Sequence, residues 1–323
     1  MNEINIEITN SENKQSYIPL IKGELDIEYY RSMMPTKAAF SVLKDNIINF
    51  NEGSEVKIEI GGKKIFKGYV FTKTRSKDGV IKVTAYDQLR YLKNKGTYNF
   101  YNISGSDIVK QIAKDYRIEV GEIENSGYII SELISDGKTL FDIIQTAVDI
   151  TYENTGRLYI LFDNFGKLSF KRAESMVQDY MVQDSTAENF SYTSTIDSGV
   201  YNQIRLTLKG RNGIIQEYFK KDEKNISRWG VLQYNGSVEK EENGNAKAEN
   251  LLKLHNKCMR KLSINGAFGD MNVRGGSIIY VRTDETGDIK IDQKMTVEYC
   301  KHCFRGNVHT MDMNLKGGLI NDD

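Results

Sequence analysis

The sequence predicts an α+β, mainly β protein in which two β-barrel-like domains flank a small α/β domain. Three observations carry this. Apolar and polar residues alternate up to about Asn94, the apolar spacing lengthens to three or four residues from about Ser104, and alternation returns from about Ser185. Alternation gives a strand one buried and one wet face, as in antiparallel sheets and barrels; the longer spacing gives a helix one buried stripe. The boundaries expected are 1–97 for the first barrel, 98–184 for the middle domain and 185–323 for the second barrel, with a segment inserted at about 213–262.

In the first domain Ile4, Ile6 and Ile8 alternate with polar residues, as do Val56, Ile58 and Ile60, and then Ile81, Val83 and Ala85. Gly61-Gly62 and Asp78-Gly79 fall between such runs and read as hairpin turns, because both supply the positive φ that tight turns need. Gly68 lies inside a strand pattern, which signals a bulge or a close backbone approach. Asp87 closes a strand and is placed to hold the N–H groups of the following turn.

In the middle domain Ile108, Ile112 and Tyr116 lie four apart, behind Ser104 and Asp107 as a capping pair. Leu140, Ile143, Ile144, Ala147 and Val148 form a second stripe, capped by Thr139 with Asp142. Two short strands, 158–162 and 167–170, follow around the turn Asp163-Asn164-Phe165-Gly166. In the last domain Ile204, Leu206 and Leu208 alternate, and further strands are expected at 277–282, 295–300 and 310–315. A helix from Ala246 to Leu262 is expected on the stripe Ala248, Leu251, Leu252, His255, Met259 and Leu262. The inserted segment before it ends in a charged tip, Glu239 to Glu242. One internal echo stands out: Gly53-Ser54-Glu-Val56-Lys-Ile58 and Gly276-Ser277-Ile-Ile279-Tyr-Val281 share the pattern Gly-Ser-x-apolar-x-apolar.

Composition narrows the function. The 323 residues are 39% hydrophobic and 27% charged, with 44 basic and 44 acidic side chains. That is enough apolar material for cores, and the zero net charge speaks against nucleic acid as a specific partner. No apolar run approaches the length of a membrane span. The N-terminus has no secretory pattern, so synthesis and assembly in the cytoplasm are expected. Three cysteines are a small and odd set, so no disulfide framework is expected.

Catalytic chemistry is poorly supplied. Cys300-Lys-His302-Cys303 with His309 has zinc-ligand residue types, but on a strand Cys300 and His302 share one face while Cys303 takes the other. No metal is expected there. His255 belongs to a helical apolar stripe. There is no nucleophile elbow and no P-loop, since Gly61-Gly62-Lys63-Lys64 lacks the remaining motif. Glu122 with Glu124, or Asp284 with Glu285, could be invoked as paired carboxylates, yet solvated loop charges explain them better. The turn at Asp163 lacks the remaining ligands of a calcium loop. The expectation is therefore no catalytic residue, no cofactor and no metal.

Several segments together resemble one family. They are Pro35-Thr-Lys-Ala-Ala-Phe40-Ser-Val42, Phe66-Lys-Gly68-Tyr69-Val70-Phe71, the block Val83 to Asn94, Thr139 to Ile144, Asp163 to Leu168, Ala267-Phe268-Gly269-Asp270, Val297-Glu298, and His302 with His309-Thr310-Met311. With these the chain resembles the PBSX-type hub family (the XkdQ group) of prophage and bacteriocin tail proteins, from about residue 20 to 316. The resemblance implies barrels of the tail-tube type and a structural baseplate hub of a contractile tail-like particle. Such a hub is a homotrimer that adapts a sixfold tail tube to a threefold spike, and it is similar to the hub half of type VI secretion spike proteins. The partners implied are the tail tube protein, the central spike, baseplate wedge or other baseplate proteins, and a tape measure protein. The location implied is a virion or bacteriocin released by lysis. Two other readings stay open on the sequence: a tail-tip cell-wall hydrolase, and a receptor- or glycan-binding tail module using some of the 19 tyrosines.

Overall fold

The computed structural model describes residues 3–318, except 46, 184, 185, 187, 211, 212, 240, 241, 287 and 288. Its first lobe is built from β1 (Ile4–Thr9), β2 (Ser16–Tyr17), β3 (Ile21–Tyr30), β4 (Lys37–Leu43), β5 (Glu55–Ile60), β6 (Lys63–Arg75) and β7 (Val80–Tyr86). They pair antiparallel in the order β3-β4-β7-β6-β5-β1-β2. The alternating residues Ile6, Ile8, Leu25, Ile27, Phe40, Val56, Ile58 and Val83 point into one core. Gly68 is needed where it stands: a Cβ there would sit 2.3 Å from the Tyr86 carbonyl oxygen of β7.

A short 3-10 helix, Gln88–Lys93, leads into the middle lobe: β8 (Lys95–Ser104), α1 (Gly105–Asp115), β9 (Val120–Ile123), β10 (Ile129–Thr139), α2 (Leu140–Thr155), β11 (Tyr159–Asp163) and β12 (Leu168–Arg172). The caps read from sequence are formed. Ser104 accepts from the Asp107 N–H, and Thr139 and Asp142 make a reciprocal capping box. The two helices bury Ile108, Ile112, Leu140, Ile143, Ile144 and Ala147 against Phe100, Leu133, Ile160 and Phe170.

The third lobe contains β13 (Val177–Val182) and β14 (Asn189–Thr195), then β15 (Gln203–Gly210), β16 (Gly213–Lys221), α3 (Glu223–Trp229), β17 (Gln233–Ser237) and α4 (Gly244–His255), and finally β18 (Met259–Phe268), β19 (Ile278–Thr286), β20 (Ile289–Arg305) and β21 (Val308–Gly317). Two sequence expectations are corrected here. β15 does not join the main sheet. It forms a separate sheet, β16-β15-β17, whose Ile204 and Leu206 pack on Ala248 and Leu251 of α4. The insertion therefore begins before 213, because alternation marks a buried face without saying which sheet owns it. The helix expected up to Leu262 ends at His255, where the Asn256 N–H returns to the Leu252 carbonyl; Met259 and Leu262 belong to β18. Of the expected tip, Lys240 and Glu241 lie outside the described residues.

The first and third lobes repeat one topology. β3-β4-β7-β6-β5 and β14-β18-β21-β20-β19 run in the same order, antiparallel throughout. The Gly-Ser echo sits at the same place in each. Gly53 N–H bonds the Val70 carbonyl and Val70 N–H bonds the Ser54 carbonyl; Gly276 and Val297, then Val297 and Ser277, do the same. Ser54 Oγ accepts from the Asn51 N–H, and Ser277 Oγ from the Arg274 N–H. Even the bulges match, between Val70 and Thr72 in β6 and between Val297 and Tyr299 in β20.

The barrel expectation is corrected in one respect. The chain is mainly β with antiparallel sheets, but among the described residues neither lobe closes on itself. The far half of β20 instead pairs with β3 as well as β21, so both lobes share one 13-stranded sheet. The reason is length: β20 runs well past the start of β19, and its freed edge takes the exposed edge of β3.

Candidate assembly surface

The seam between the lobes is a seven-residue antiparallel ladder, from Tyr299 opposite Tyr30 to Arg305 opposite Glu24. Its outward face carries matched side chains. Tyr299 packs on Tyr30 at 5.1 Å between ring centres. Lys301 Nζ lies 2.9 Å from Asp26, and Arg305 bonds Glu24. Beyond the ladder, Arg31 bonds Glu298 at 2.8 Å. These pairs are partly exposed, so each contributes little to stability; their matching fixes register.

The inward face is aromatic. His302 Nδ1 is 2.9 Å from His309 Nε2, and His302 Nε2 is 2.8 Å from the Val273 carbonyl. A carbonyl only accepts, so Nε2–H of His302 donates to it, and Nδ1 accepts from His309. Burial favours the neutral form of both rings, in which this assignment holds. Tyr29 meets His302 edge-on, and Phe304 stacks on His309 with ring centres 4.1 Å apart. Burial drives His302 down to about 3 and His309 to about 4, against the pull of Asp270 on the latter.

All three lobes meet at Arg274. Its guanidinium lies over Tyr29 of β3 and Phe162 of β11, at 5.0 and 4.4 Å from the ring centres, and donates to the Asp163 carbonyl at 2.8 Å. Asp87 is buried at the same node. Its carboxylate accepts the Leu89 N–H, as expected for a turn, and also the Thr36 N–H, both at 3.0 Å. Burial, then the charge of Asp163, pushes Asp87 up to about 8. Asp163 is raised by burial too, while its Oδ1 accepts from Gly166 at 2.7 Å. The turn at Asp163 is thus a hairpin corner set at the lobe junction.

The sequence candidates do not converge. Cys300 and His302 are buried on the inward face and Cys303 faces the other way. Cys303 lies near Glu24 and Asp26, a trio of ligand-type atoms, but Arg305 and Lys301 already neutralise both carboxylates. His255, at the end of α4 in the insertion, bonds the Gly199 carbonyl, stacks on Tyr234 and meets Tyr201 edge-on. Glu122 pairs with Lys171, and Glu124 accepts the Arg172 N–H. The side chains of Asp284 and Glu285 lie outside the described residues. What sequence reading missed is Arg274, the seam and the Thr36 contact of Asp87, all of which rest on long-range pairing.

Comparison with known proteins agrees with this architecture. The family model described as YQBQ-like matches residues 25–316, so the chain belongs to that family. It is 27% identical over 310 residues to the uncharacterized protein YqbQ of Bacillus subtilis (strain 168), and 26% identical over 310 residues to the phage-like element PBSX protein XkdQ of the same organism. Each alignment covers 93% of both chains. Among solved structures, the 43 kDa tail protein of prophage MuSo2 from Shewanella oneidensis matches with a TM-score of 0.67 at 14% identity, over 97% of this chain and 98% of that one. An Escherichia coli protein described as a component of the type VI secretion system, with structural similarity to the T4 bacteriophage tail proteins gp27 and gp5, matches with a TM-score of 0.58 at 8% identity, over 96% of this chain and 75% of that one. The fold is that of prophage tail proteins.

Proposed function

We propose that this YqbQ-like chain is the structural baseplate hub of a contractile tail-like particle, a homotrimer that joins a sixfold tail tube to a threefold spike. The observation that carries it is the internal repeat. Two lobes share a five-strand order, the same Gly-Ser turn and the same bulge. Three chains then offer six similar lobes to a tube, while the middle lobe and the insertion occur once per chain and give a threefold face. Homology to a PBSX protein and likeness to a type VI component support a structural role beside tube, spike and other baseplate proteins. The lobe boundaries proposed are 1–97, 98–184 and 185–323, the last with its insertion. No catalytic role is assigned, in keeping with relatives described as tail proteins. Light scattering of purified protein over a range of concentrations tests the stoichiometry: a trimer, or a monomer–trimer mixture, is expected. A stable twofold dimer throughout would overturn the reading, since ring parts associate head to tail. Co-assembly with the tube protein in a stained particle would test its position.

A further inference from the structure

We propose that the edge strand β14 of one copy adds to the far half of β6 in the next copy, repeating between chains the seam that β3 and β20 make within one. The inference rests on the ring reading above for the number of copies, but the seam itself follows from the repeat. β3 corresponds to β14, and β20 to β6. Within the chain, β20 uses its half beyond the bulge to take β3. Among the described residues, the matching half of β6, Thr72 to Arg75, lies past the start of β5 and pairs only with β7. Among the described residues, β14 of the third lobe likewise pairs only with β18. Each lobe thus has one junction surface used inside the chain, and each leaves its counterpart open.

The open edge also looks built to be covered. β14 reads Asn-Phe-Ser-Tyr-Thr-Ser-Thr, without the lysine, proline or other charge that guards free edges against pairing. Phe190 and Tyr192 face the third-lobe core yet are only partly buried, while their counterparts Leu25 and Ile27 in β3 are fully buried.

The matching registers fix the contact. Val297 corresponds to Val70 and Tyr299 to Thr72; Ile27 corresponds to Tyr192 through the paired residues Ala38 and Leu262. Transferring the seam sets Thr72 opposite Thr195, Lys73 opposite Ser194, Thr74 opposite Thr193 and Arg75 opposite Tyr192. No like charges meet. Two threonine pairs, a favoured cross-strand combination, share the face that carries Tyr299–Tyr30 and Lys301–Glu28 inside the chain. Four residues per seam, against seven within the chain, give roughly four backbone bonds, a contact that forms and parts with concentration.

Cross-linking tests the register. In full-length protein with Cys258 and Cys303 replaced by serine, T72C combined with T195C should oxidise to a covalent trimer, whereas T72C with S191C should not. Trimers by light scattering without cross-links at Thr72 and Thr195 would overturn the seam and leave the trimer standing. Open ladders beyond three copies would support the seam and overturn the trimer. Monomers at every concentration would overturn both. A charge swap guards against misfolding: T74K with T193K should weaken association at least tenfold, and T74E with T193K should restore it. Equal association of both variants would overturn the seam.

Discussion

His302 and His309 are held neutral because one bonds a carbonyl and both are buried among rings. Their pKa values lie below the ordinary imidazole range, so the stability they contribute is present above pH ~6.5 and is lost as pH falls toward about 3 to 4. Each contributes a slope of up to about 1.4 kcal/mol per pH unit in that window. H309F keeps the stack on Phe304 and removes one of the two titrating groups. Its unfolding midpoint should therefore fall less steeply than that of the native protein between pH 6.5 and 4, at the cost of about 1–3 kcal/mol at pH 7 for the unpaired His302 nitrogen. Urea unfolding at stepped pH checks this; parallel profiles would mean the rings do not titrate with folding. Asp87 has the opposite sign. Its raised pKa favours the protonated form in the folded chain, so its contribution is present below pH ~4 and is lost as pH rises toward about 8. D87N should remove the fall in stability between about pH 4 and 8, and an unchanged slope in that window would show that Asp87 is ionised in the fold.

Single strands and helices were legible where chemistry is local. The capping pairs at Ser104 and Thr139 announce α1 and α2 because the bonds they make span three residues. The glycine pair between β5 and β6 has the positive φ values its turn requires, +56° and +76°. Gly68 is legible as a close approach, and its consequence is testable. G68A drives a methyl group against the Tyr86 carbonyl and the Phe66 ring, so β6 and β7 must part. A loss of about 1–3 kcal/mol is expected in chemical unfolding, and a neutral result would mean that the ladder yields there. Legibility fails where partners are remote in sequence. The apolar stripe of α4 runs on in the sequence through Met259 and Leu262 only because strand residues happen to fall at helical spacing; Asn256 ends the helix first. β15 shows its buried face but not its sheet. The seam is invisible for the same reason: alternation in β3 and β20 reports burial, while nothing local says that Cys300 lies opposite Tyr29. At the node, the Leu89 half of the Asp87 contact could be read and the Thr36 half could not, because the latter crosses strands.

At the scale of the molecule, the repeat separates what two lobes share from what each chain has once. The insertion is the most separable of the unshared parts. It has its own core of Ile204, Leu206, Val238, Ala248 and Leu251. Its ends are adjacent, since the Tyr201 N–H bonds the His255 carbonyl at 3.1 Å. β14 and β18, which flank it, already pair from Thr195 with Met259 onward. A short Gly/Ser linker can therefore bridge residues 200 and 257 without moving the main sheet. What the deletion removes is the packing of α4 on the middle lobe, where Asn250 donates to the Asn154 carbonyl at 2.7 Å and Lys247 sits near Glu153 and Glu242. Ile150 and Tyr152 of α2, which already pack partly buried against the middle core, anchor that side of the helix without α4. The shortened chain should thus fold with a modest loss in unfolding midpoint and keep the association state of the full chain. If the insertion belongs to the threefold face, the same deletion should leave binding to tube protein intact and alter attachment of the spike. Sedimentation of the deleted chain with each partner separates these outcomes: loss of tube binding with spike binding retained would place the insertion on the tube side and reverse the assignment of faces.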